Sequence, residues 1–426
     1  MSLTPHQSEK LEESLTILKD GKRLLISGSA GVGKTYLVNE LIKRIRKTIP
    51  SHKKIICSAP TNKAVAVVKG KVDKADKLEF TTVHSCLKIK RQVNYRNGKV
   101  TFKPNFTEKY PPMRGVGALI IDEASMLPTE LLKFVEVHAT KNNCIVVFIG
   151  DHKQLNPVGE EVSPVFTADY PEVELTQIIR QGNGNPIIKL SRDLDLIKTK
   201  ESDSEDGEGY IYSDNINDVV GTLATVNGTD ELKYLAWTNK EVDLINNLVR
   251  KKIYGDNPKK IEVGETLTFN SPYKDDYYTN QEVKVNEATV KQRNFHYPTG
   301  TKTTKSINLK VYSINPQYSI EAQEYAENII AIHEDSQADY DKLMKTLKNR
   351  AAARTISWLD FYGFSENFAD LKYNHAITVH KSQGSTYKQA IVNVKNLNLN
   401  RSKTEKERLL YTAVTRASKL LILYKT

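Results

Sequence analysis

The stretch Leu24 to Thr35, LLISGSAGVGKT, limits what this chain can fold into more than any other. Gly28, Ser29, Ala30, Gly31, Val32, Gly33, Lys34 and Thr35 fill every fixed position of the phosphate-loop pattern G-x-x-x-x-G-K-[ST]. Ahead of it, Leu24, Leu25 and Ile26 predict a short buried strand. Behind it, Leu37, Val38, Leu41, Ile42 and Ile45 recur at helical spacing. A glycine loop between strand and helix wraps backbone N–H groups around a polyphosphate and adds the positive end of the helix. Lys34 then reaches the terminal phosphates, and the Thr35 hydroxyl can ligate Mg2+. The expected fold class is therefore α/β with parallel sheets, and the expected ligand is a nucleoside triphosphate with Mg2+.

A chain of 426 residues has length for two or three domains, each with its own core. Its 62 Lys and Arg against 51 Asp and Glu leave a net charge of +11, which suits a polyanionic partner without singling one out. Cys57, Cys86 and Cys144 are too few and too scattered for a disulfide framework or a zinc cluster, so a reducing cytoplasmic setting is expected. No apolar stretch approaches membrane-spanning length, and MSLTPHQSEK has no signal core. No internal repeat is apparent.

Read in order, Pro5 opens an amphipathic helix carrying Leu11, Leu15 and Leu18, with Gln7 in its first turn. Ile55, Ile56 and Cys57 predict the next strand, which runs into Pro60, Thr61, Asn62 and Lys63. A second polar cluster follows at Thr81, Thr82, Val83, His84 and Ser85. Both offer small hydroxyl and amide groups at the strand ends where ligands gather in open α/β sheets. Residues 93–102, VNYRNGKVTF, predict a hairpin with a two-residue turn at Asn97-Gly98. That turn would pair Arg96 with Lys99, Tyr95 with Val100, Asn94 with Thr101 and Val93 with Phe102. Val93, Tyr95, Val100 and Phe102 would then share one face, flanked by Lys88, Lys90, Arg91, Lys103 and Lys109. The apolar strand at Ala118 to Ile121 delivers Asp122 for the metal and Glu123 for the attacking water. A further strand, Cys144 to Ile149, leads to Gln154, placed to sense a γ-phosphate.

Together these residues resemble the superfamily 1 nucleic-acid helicases, in particular the 5′-to-3′ branch of RecD-like and Dda-like enzymes. The remaining motifs of that family follow in its order: Glu174 to Gln181 with Arg180, Tyr373 to Thr386 with Thr378, His380, Gln383 and Gly384, and Leu410 to Ala417 with Arg416. Within the branch, the hairpin's position, the long insert and the aromatic cluster Trp358, Phe361, Tyr362, Phe364 and Phe368 resemble the Dda type. The resemblance implies two RecA-like domains, 1–87 with 115–195 and 196–255 with 373–426. It also implies a hairpin pin at 88–114 and an inserted SH3-like and helical domain at 256–372. ATP would lie between the two large domains. Gln7 would contact adenine, and Gln383 and Gly384 would join the phosphate loop in holding the nucleotide. Thr35 and Asp122 would hold the metal, and Lys34, Glu123, Gln154, Arg180 and Arg416 would serve the chemistry. Single-stranded DNA would run over Pro60, Thr61, Asn62, Thr82, His84, Thr238, Asn239, Thr378 and His380, with Tyr95 or Phe102 stacking at a fork. The expected protein is a monomer working in a bacterial or phage-infected cell, in replication or recombination, with forked DNA and a single-strand-binding or replication protein as partners. A translocase that strips proteins or prefers RNA stays open, as does a passive single-strand binder with a relict ATP site.

In the second half, Glu201 to Gly209 is acidic and free of apolar residues, so it is expected to be a solvated connector. Alternation at Glu265 to Phe269, Gln281 to Val285 and Ile307 to Tyr312 predicts a small antiparallel module. Residues 318–354 read as helical from Ile329, Ile330, Ile332, Leu343, Met344 and Leu347, and the aromatic cluster after them is expected to pack rather than stack on bases. Ser402 with Glu405 predicts a capping box for the last helix.

Overall fold

The computed structural model describes residues 3–73, 76–94, 96–104, 111–177, 185–199, 201–226, 231–274, 276–300, 302–316 and 328–425. Tyr95, Lys109 and Arg180 lie outside the described residues. The first half contributes β1 (Arg23–Gly28), β2 (Lys54–Ala59), β3 (Leu78–Thr82), β4 (Ile89–Val93), β5 (Val100–Pro104), β6 (Val116–Ile121), β7 (Ile145–Gly150) and β8 (Glu172–Leu175). All but β4 and β5 form one parallel sheet in the order β3-β2-β6-β7-β1-β8. Its strands are apolar on both faces because helices cover both. Leu24 and Ile26 pack with Leu37, Leu41 and Ile45 on one side, while Leu25 packs with Leu119, Leu131 and Val135 on the other.

The second half contributes β9 (Asp203–Glu205), β10 (Glu208–Ser213), β11 (Leu232–Ala236), then β12 (Thr266–Phe269), β13 (Glu282–Pro298), β14 (Thr304–Pro316), β15 (Ile329–Ile332) and β16 (Leu371–Tyr373), and finally β17 (Ala376–Thr378), β18 (Tyr387–Asn393) and β19 (Ala417–Tyr424). A second six-stranded sheet runs β17-β11-β18-β19-β10-β9, parallel except for β9. The insert is a separate antiparallel sheet, β15-β14-β13-β12-β16. No helix among the described residues is long and apolar enough to cross a membrane.

The acidic stretch is not a plain connector: it turns at Asp206 and Gly207, both at positive φ, and makes the β9–β10 hairpin at the edge of the second sheet. Helix Pro186–Arg192, assigned above to the first domain, packs Ile187 and Leu190 into the second core beside Tyr210 and Leu235. Ile329, Ile330 and Ile332 belong to β15, and the helix begins only at Glu334 and runs to Ala352. Short apolar runs rich in isoleucine carry no period that separates strand from helix, and pairing with β14 decides this one. Ser402 caps the helix Lys403–Val414 by accepting the Glu405 N–H, but only half of the box forms. The Glu405 carboxylate lies instead 3.9 Å from His380 Nε2.

The hairpin register also differs. Val93 pairs with Val100, Gln92 with Thr101 and Arg91 with Phe102. Asn94 Oδ1 accepts the Arg96 N–H and Asn97 Oδ1 accepts the Lys99 N–H, so two side-chain turns shape the tip in place of the expected two-residue turn. Its ends close where the Asn94 N–H donates to Lys99 O and the Gly98 N–H donates to Asn94 O. Arg96 and Lys99 therefore do not oppose each other across the ladder. Gly98, at φ +66, lies against Trp358 so tightly that a Cβ would come 2.3 Å from the ring. The Tyr362 hydroxyl donates to Gly98 O at 3.0 Å. Arg91 sits 4.4 Å from the centre of the Tyr362 ring and pairs with Glu366 at 2.6 Å. Trp358, Phe364 and Phe368 are buried in the insert, so the aromatic cluster is packing, and its helix is the seat of the hairpin.

Candidate nucleotide and nucleic-acid site

The phosphate loop leaves β1 at Gly28, where a Cβ would lie 2.7 Å from Leu175 O, and it enters the helix Lys34–Thr48. Lys34 Nζ donates to Gly28 O at 2.5 Å and to Ser29 O at 3.0 Å. Asp122 follows β6, with its N–H bonded to Ser58 O at 2.8 Å, and its Oδ1 accepts the Glu123 N–H at 2.9 Å. Glu123 adopts φ +51, which turns its side chain back from the strand direction. Thr35, Ser58 and Asp122 line one small cavity, and the buried Ser58 hydroxyl has no hydrogen-bond partner there. Burial pushes the Asp122 carboxyl above its ordinary range, against the Glu123 N–H and Lys34. Burial and then the Asp122 charge push Glu123 up as well, against Arg416 and Lys34.

Gln7 is buried, its amide oxygen accepting the Thr4 N–H while its NH2 donates to Gly33 O at 3.4 Å. It thus ties the first helix to the phosphate loop. Gln154 is buried too, and its Oε1 has no partner.

The second domain closes the other side. Arg416 is held by Nε to Thr412 O at 3.0 Å and by Nη1 to Ser385 O at 2.9 Å, near enough to Glu123 for their charges to interact. Gln383 Nε2 donates to Leu155 O at 3.3 Å. Gly384 lies against Ala64, where a Cβ would sit 2.8 Å from that residue's own. Two residues that sequence reasoning missed also cross the cleft. Arg408 Nη1 donates to His152 O, Gln154 O and Asn156 Oδ1 at 2.8, 2.7 and 3.1 Å. The Tyr411 hydroxyl donates to Asp151 Oδ2 at 2.6 Å and accepts the Ala30 N–H at 3.1 Å. Their spacing, three apart on a helix that also leads to Arg416, was the available signal.

The residues expected to grip a nucleic-acid strand share one design. Thr61, Thr82, Thr238 and Thr378 stand at the ends of β2, β3, β11 and β17. Their hydroxyls accept the N–H three residues on, from Ala64, Ser85, Glu241 and Lys381. Asn62 and Asn239 open the helices that Thr61 and Thr238 cap, and Pro60 precedes the first of these caps. Thr82-Val83-His84 and Thr378-Val379-His380 are the same tripeptide, each beginning at the last residue of its strand. Burial lowers the pKa of both histidines, with Glu405 opposing at His380. Lys63, Asn239, Thr378, Lys381, Asn270 and Glu282 line a single groove that joins the two domains and the insert, with Lys63 and Glu282 paired at 2.9 Å. His84 meets Phe102 edge-on at 6.2 Å, and Phe102 is 54% exposed on the hairpin.

Residues 2–212 match the family model of an AAA domain, and residues 373–424 match that of a UvrD-like helicase C-terminal domain. The chain is 28% identical over 421 residues to the ATP-dependent DNA helicase dda of Enterobacteria phage T4, covering 92% of each. It is 24% identical to the RecBCD enzyme subunit RecD of Buchnera aphidicola subsp. Schizaphis graminum, covering 99% of this chain and 73% of that one. The crystal structure of Pif1 helicase from Candida albicans superposes with a TM-score of 0.51 at 18% identity, covering 100% of this chain and 95% of that one. That likeness is one of fold.

Proposed function

The chain belongs to the superfamily 1 helicases of the Dda and Pif1 type, and from that premise we propose that it is an ATP-driven DNA helicase. It binds ATP between its two parallel-sheet domains and moves 5′ to 3′ along single-stranded DNA. The observation that carries this reading is the composite cleft. Arg408, Tyr411 and Arg416 of the second domain reach the loop 151–156, Ala30 and the surroundings of Glu123, so a nucleotide on Gly28–Thr35 would meet both domains at once. Lys34 and Arg416 would neutralise the terminal phosphates and Gln154 would donate from its amide NH2 to the γ-phosphate, while Arg180 takes its role from family position alone. Glu123 would orient and deprotonate the attacking water, a task that suits a carboxyl held above its ordinary range. Thr35 and Asp122 would hold Mg2+, which supplies charge neutralisation at the phosphates. The buried carboxylate beside Thr35 and the orphaned Ser58 hydroxyl fit a cation.

The groove lined by Lys63, Asn239 and Thr378 supports a path for the strand across both domains, with the helix starts capped by Thr61, Thr82 and Thr238 offered to phosphates. Separating a base-pair step costs about 1.4 kcal/mol in stacking, so a wedge needs a motor behind it. The hairpin is braced on Trp358 and Tyr362, which supports its use as that wedge, with Phe102 exposed to meet a base. Since the cleft is completed by residues of one chain, a monomer suffices. The test is ATP turnover with and without single-stranded DNA for the native chain and for Lys34→Ala. We expect DNA to stimulate turnover, and Lys34→Ala to lose it while keeping strand binding. Turnover indifferent to DNA would sink the motor reading, and an unwinding preference for a 3′ tail would reverse the polarity.

A further inference from the structure

Of the contacts between the two domains, one is built differently from the rest. Tyr411 is 3% exposed, and its phenol oxygen lies between a carboxylate and a backbone N–H that both belong to the first domain. It donates to Asp151 Oδ2 at 2.6 Å and accepts from Ala30 N at 3.1 Å. Asp151 is itself buried, and its other oxygen, Oδ1, accepts the Lys153 N–H at 3.0 Å, so the carboxylate is fixed in orientation. Ala30 lies inside the phosphate loop. One hydroxyl therefore ties the nucleotide loop to the loop that carries Gln154, and it does so from the helix Lys403–Val414, which leads into Arg416. Arg408, one turn earlier on that helix, grips the same 152–156 segment through three acceptors. Arg416 takes its orientation from Thr412 O, the residue next to Tyr411, and from Ser385 O.

We propose that Tyr411 is a positioning residue: its hydroxyl locks the arginine-bearing helix onto the phosphate loop, and thereby sets Arg416 against Glu123. The physical case is one of registry. A guanidinium stabilises a phosphoryl-transfer transition state only if it is held to within a fraction of an ångström, and Arg416 makes no direct hydrogen bond to the first domain among the described contacts. The helix must hold it, and Arg408 and Tyr411 fix that helix across the cleft. Of the two, Tyr411 alone touches the loop that cradles phosphate, so it senses that loop's position. A charge-assisted bond between buried groups also has a strong geometric preference, so the closed cleft is a defined state. Phenylalanine at this position would keep the ring and its packing and lose both hydrogen bonds.

This inference rests on the ATP-hydrolysing reading above, and its test separates the two. Single-strand-stimulated ATP turnover would be measured for the native chain, Tyr411→Phe, Asp151→Asn and the double variant, together with strand affinity and the thermal midpoint. We expect Tyr411→Phe to lower kcat about ten- to a hundred-fold, the range one charge-assisted hydrogen bond spans, with KM for ATP changed less than threefold and strand affinity unchanged. We expect the double variant to be no slower than Tyr411→Phe alone, because that change already removes the link that Asp151→Asn weakens. A kcat for Tyr411→Phe within twofold of native, or additive losses in the double variant, would overturn the inference while leaving the helicase reading intact. So would a loss that appears only in KM, or one that tracks a lowered thermal midpoint. A native chain with no DNA-stimulated turnover would overturn both.

Discussion

The two parallel sheets run in the same strand order, so β1, β7, β6, β2 and β3 of the first correspond to β10, β19, β18, β11 and β17 of the second. At the outer pair the likeness in chemistry is complete. Thr61 and Thr238 both cap a helix two residues beyond their strand, and Thr82 and Thr378 both end a strand and begin Thr-Val-His. At the inner strands it is absent. β1 leads into Gly28–Thr35, whereas β10 leads into Asp214 and an Asn215-capped helix with no glycine loop and no lysine. β6 leads to Asp122 and Glu123, whereas β18 ends at Asn393, whose amide is spent on the Tyr234 hydroxyl and on Glu241. The threonine caps are duplicated, whereas the glycine loop with its lysine and the paired carboxylates are not. Among the described residues, Arg408, Tyr411 and Gln383 of the second domain make hydrogen bonds across the cleft to the first.

The sharpest way to break that division is Glu123→Gln. It should cut turnover about 10²- to 10⁴-fold and leave strand affinity as it was, because the residue belongs to the unduplicated set. Steady-state turnover beside strand-binding titrations would check it. In the native chain the acid limb of kcat should lie above that of an exposed glutamate, since burial and Asp122 hold the Glu123 carboxyl up. Weakened strand binding in this variant would mean the two chemistries are not separate.

A smaller effect lies where the insert meets the second sheet. His375 is buried between β16 and β17, neither ring nitrogen has a hydrogen-bond partner, and burial with Lys233 and Arg250 lowers its pKa from 6.5 to about 4. The unfolded chain takes up this proton near pH 6.5 and the folded chain only near pH 4, so the contribution to stability is full above 6.5 and is lost as pH falls through that window. The loss should be about 3 kcal/mol at most. Denaturant melts at pH 7 and pH 4.5 would measure it, and His375→Leu should flatten the difference; an unchanged slope would exclude His375 as its source.

The smallest effect tests the duplication itself. Thr61→Val and Thr238→Val each remove a cap worth about 1 kcal/mol, and each should weaken single-strand binding by roughly fivefold with little change in KM for ATP. Unequal strand-binding losses would show that the matched caps do unequal work.

Much of the site was legible in advance because its chemistry is local. A phosphate loop is a run of consecutive backbone positions, so Gly28, Lys34 and Thr35 announce themselves, and Asp122 and Glu123 follow from an apolar strand that ends in two carboxylates. The aromatic cluster was readable as packing for the same reason: several large rings close together need a core to bury them. What stayed hidden was relational. The tip register differs from the two-residue turn that Asn97-Gly98 predicts because Asn94 and Asn97 bond to backbone two residues away. The isoleucines of β15 gave no period, and their strand state was settled by a partner strand in β14. Tyr411 carried no signal of its own, since a tyrosine on an amphipathic helix is ordinarily core.

The sequence by itself determined that the chain has a phosphate loop, a pair of carboxylates placed to serve it, and strands buried on both faces, because hydrogen-bonding capacity and apolar period are properties of neighbours in the chain. The tertiary structure alone decided that Tyr411 meets Ala30 across 381 positions, that Gly98 seats the hairpin on Trp358, and that Lys63 of the first domain, Thr378 of the second and Glu282 of the insert line one groove. These contacts depend on how two separately built sheets and an insert come to rest against one another. That docking is set by the summed shape and charge of their surfaces, which no short window of residues contains.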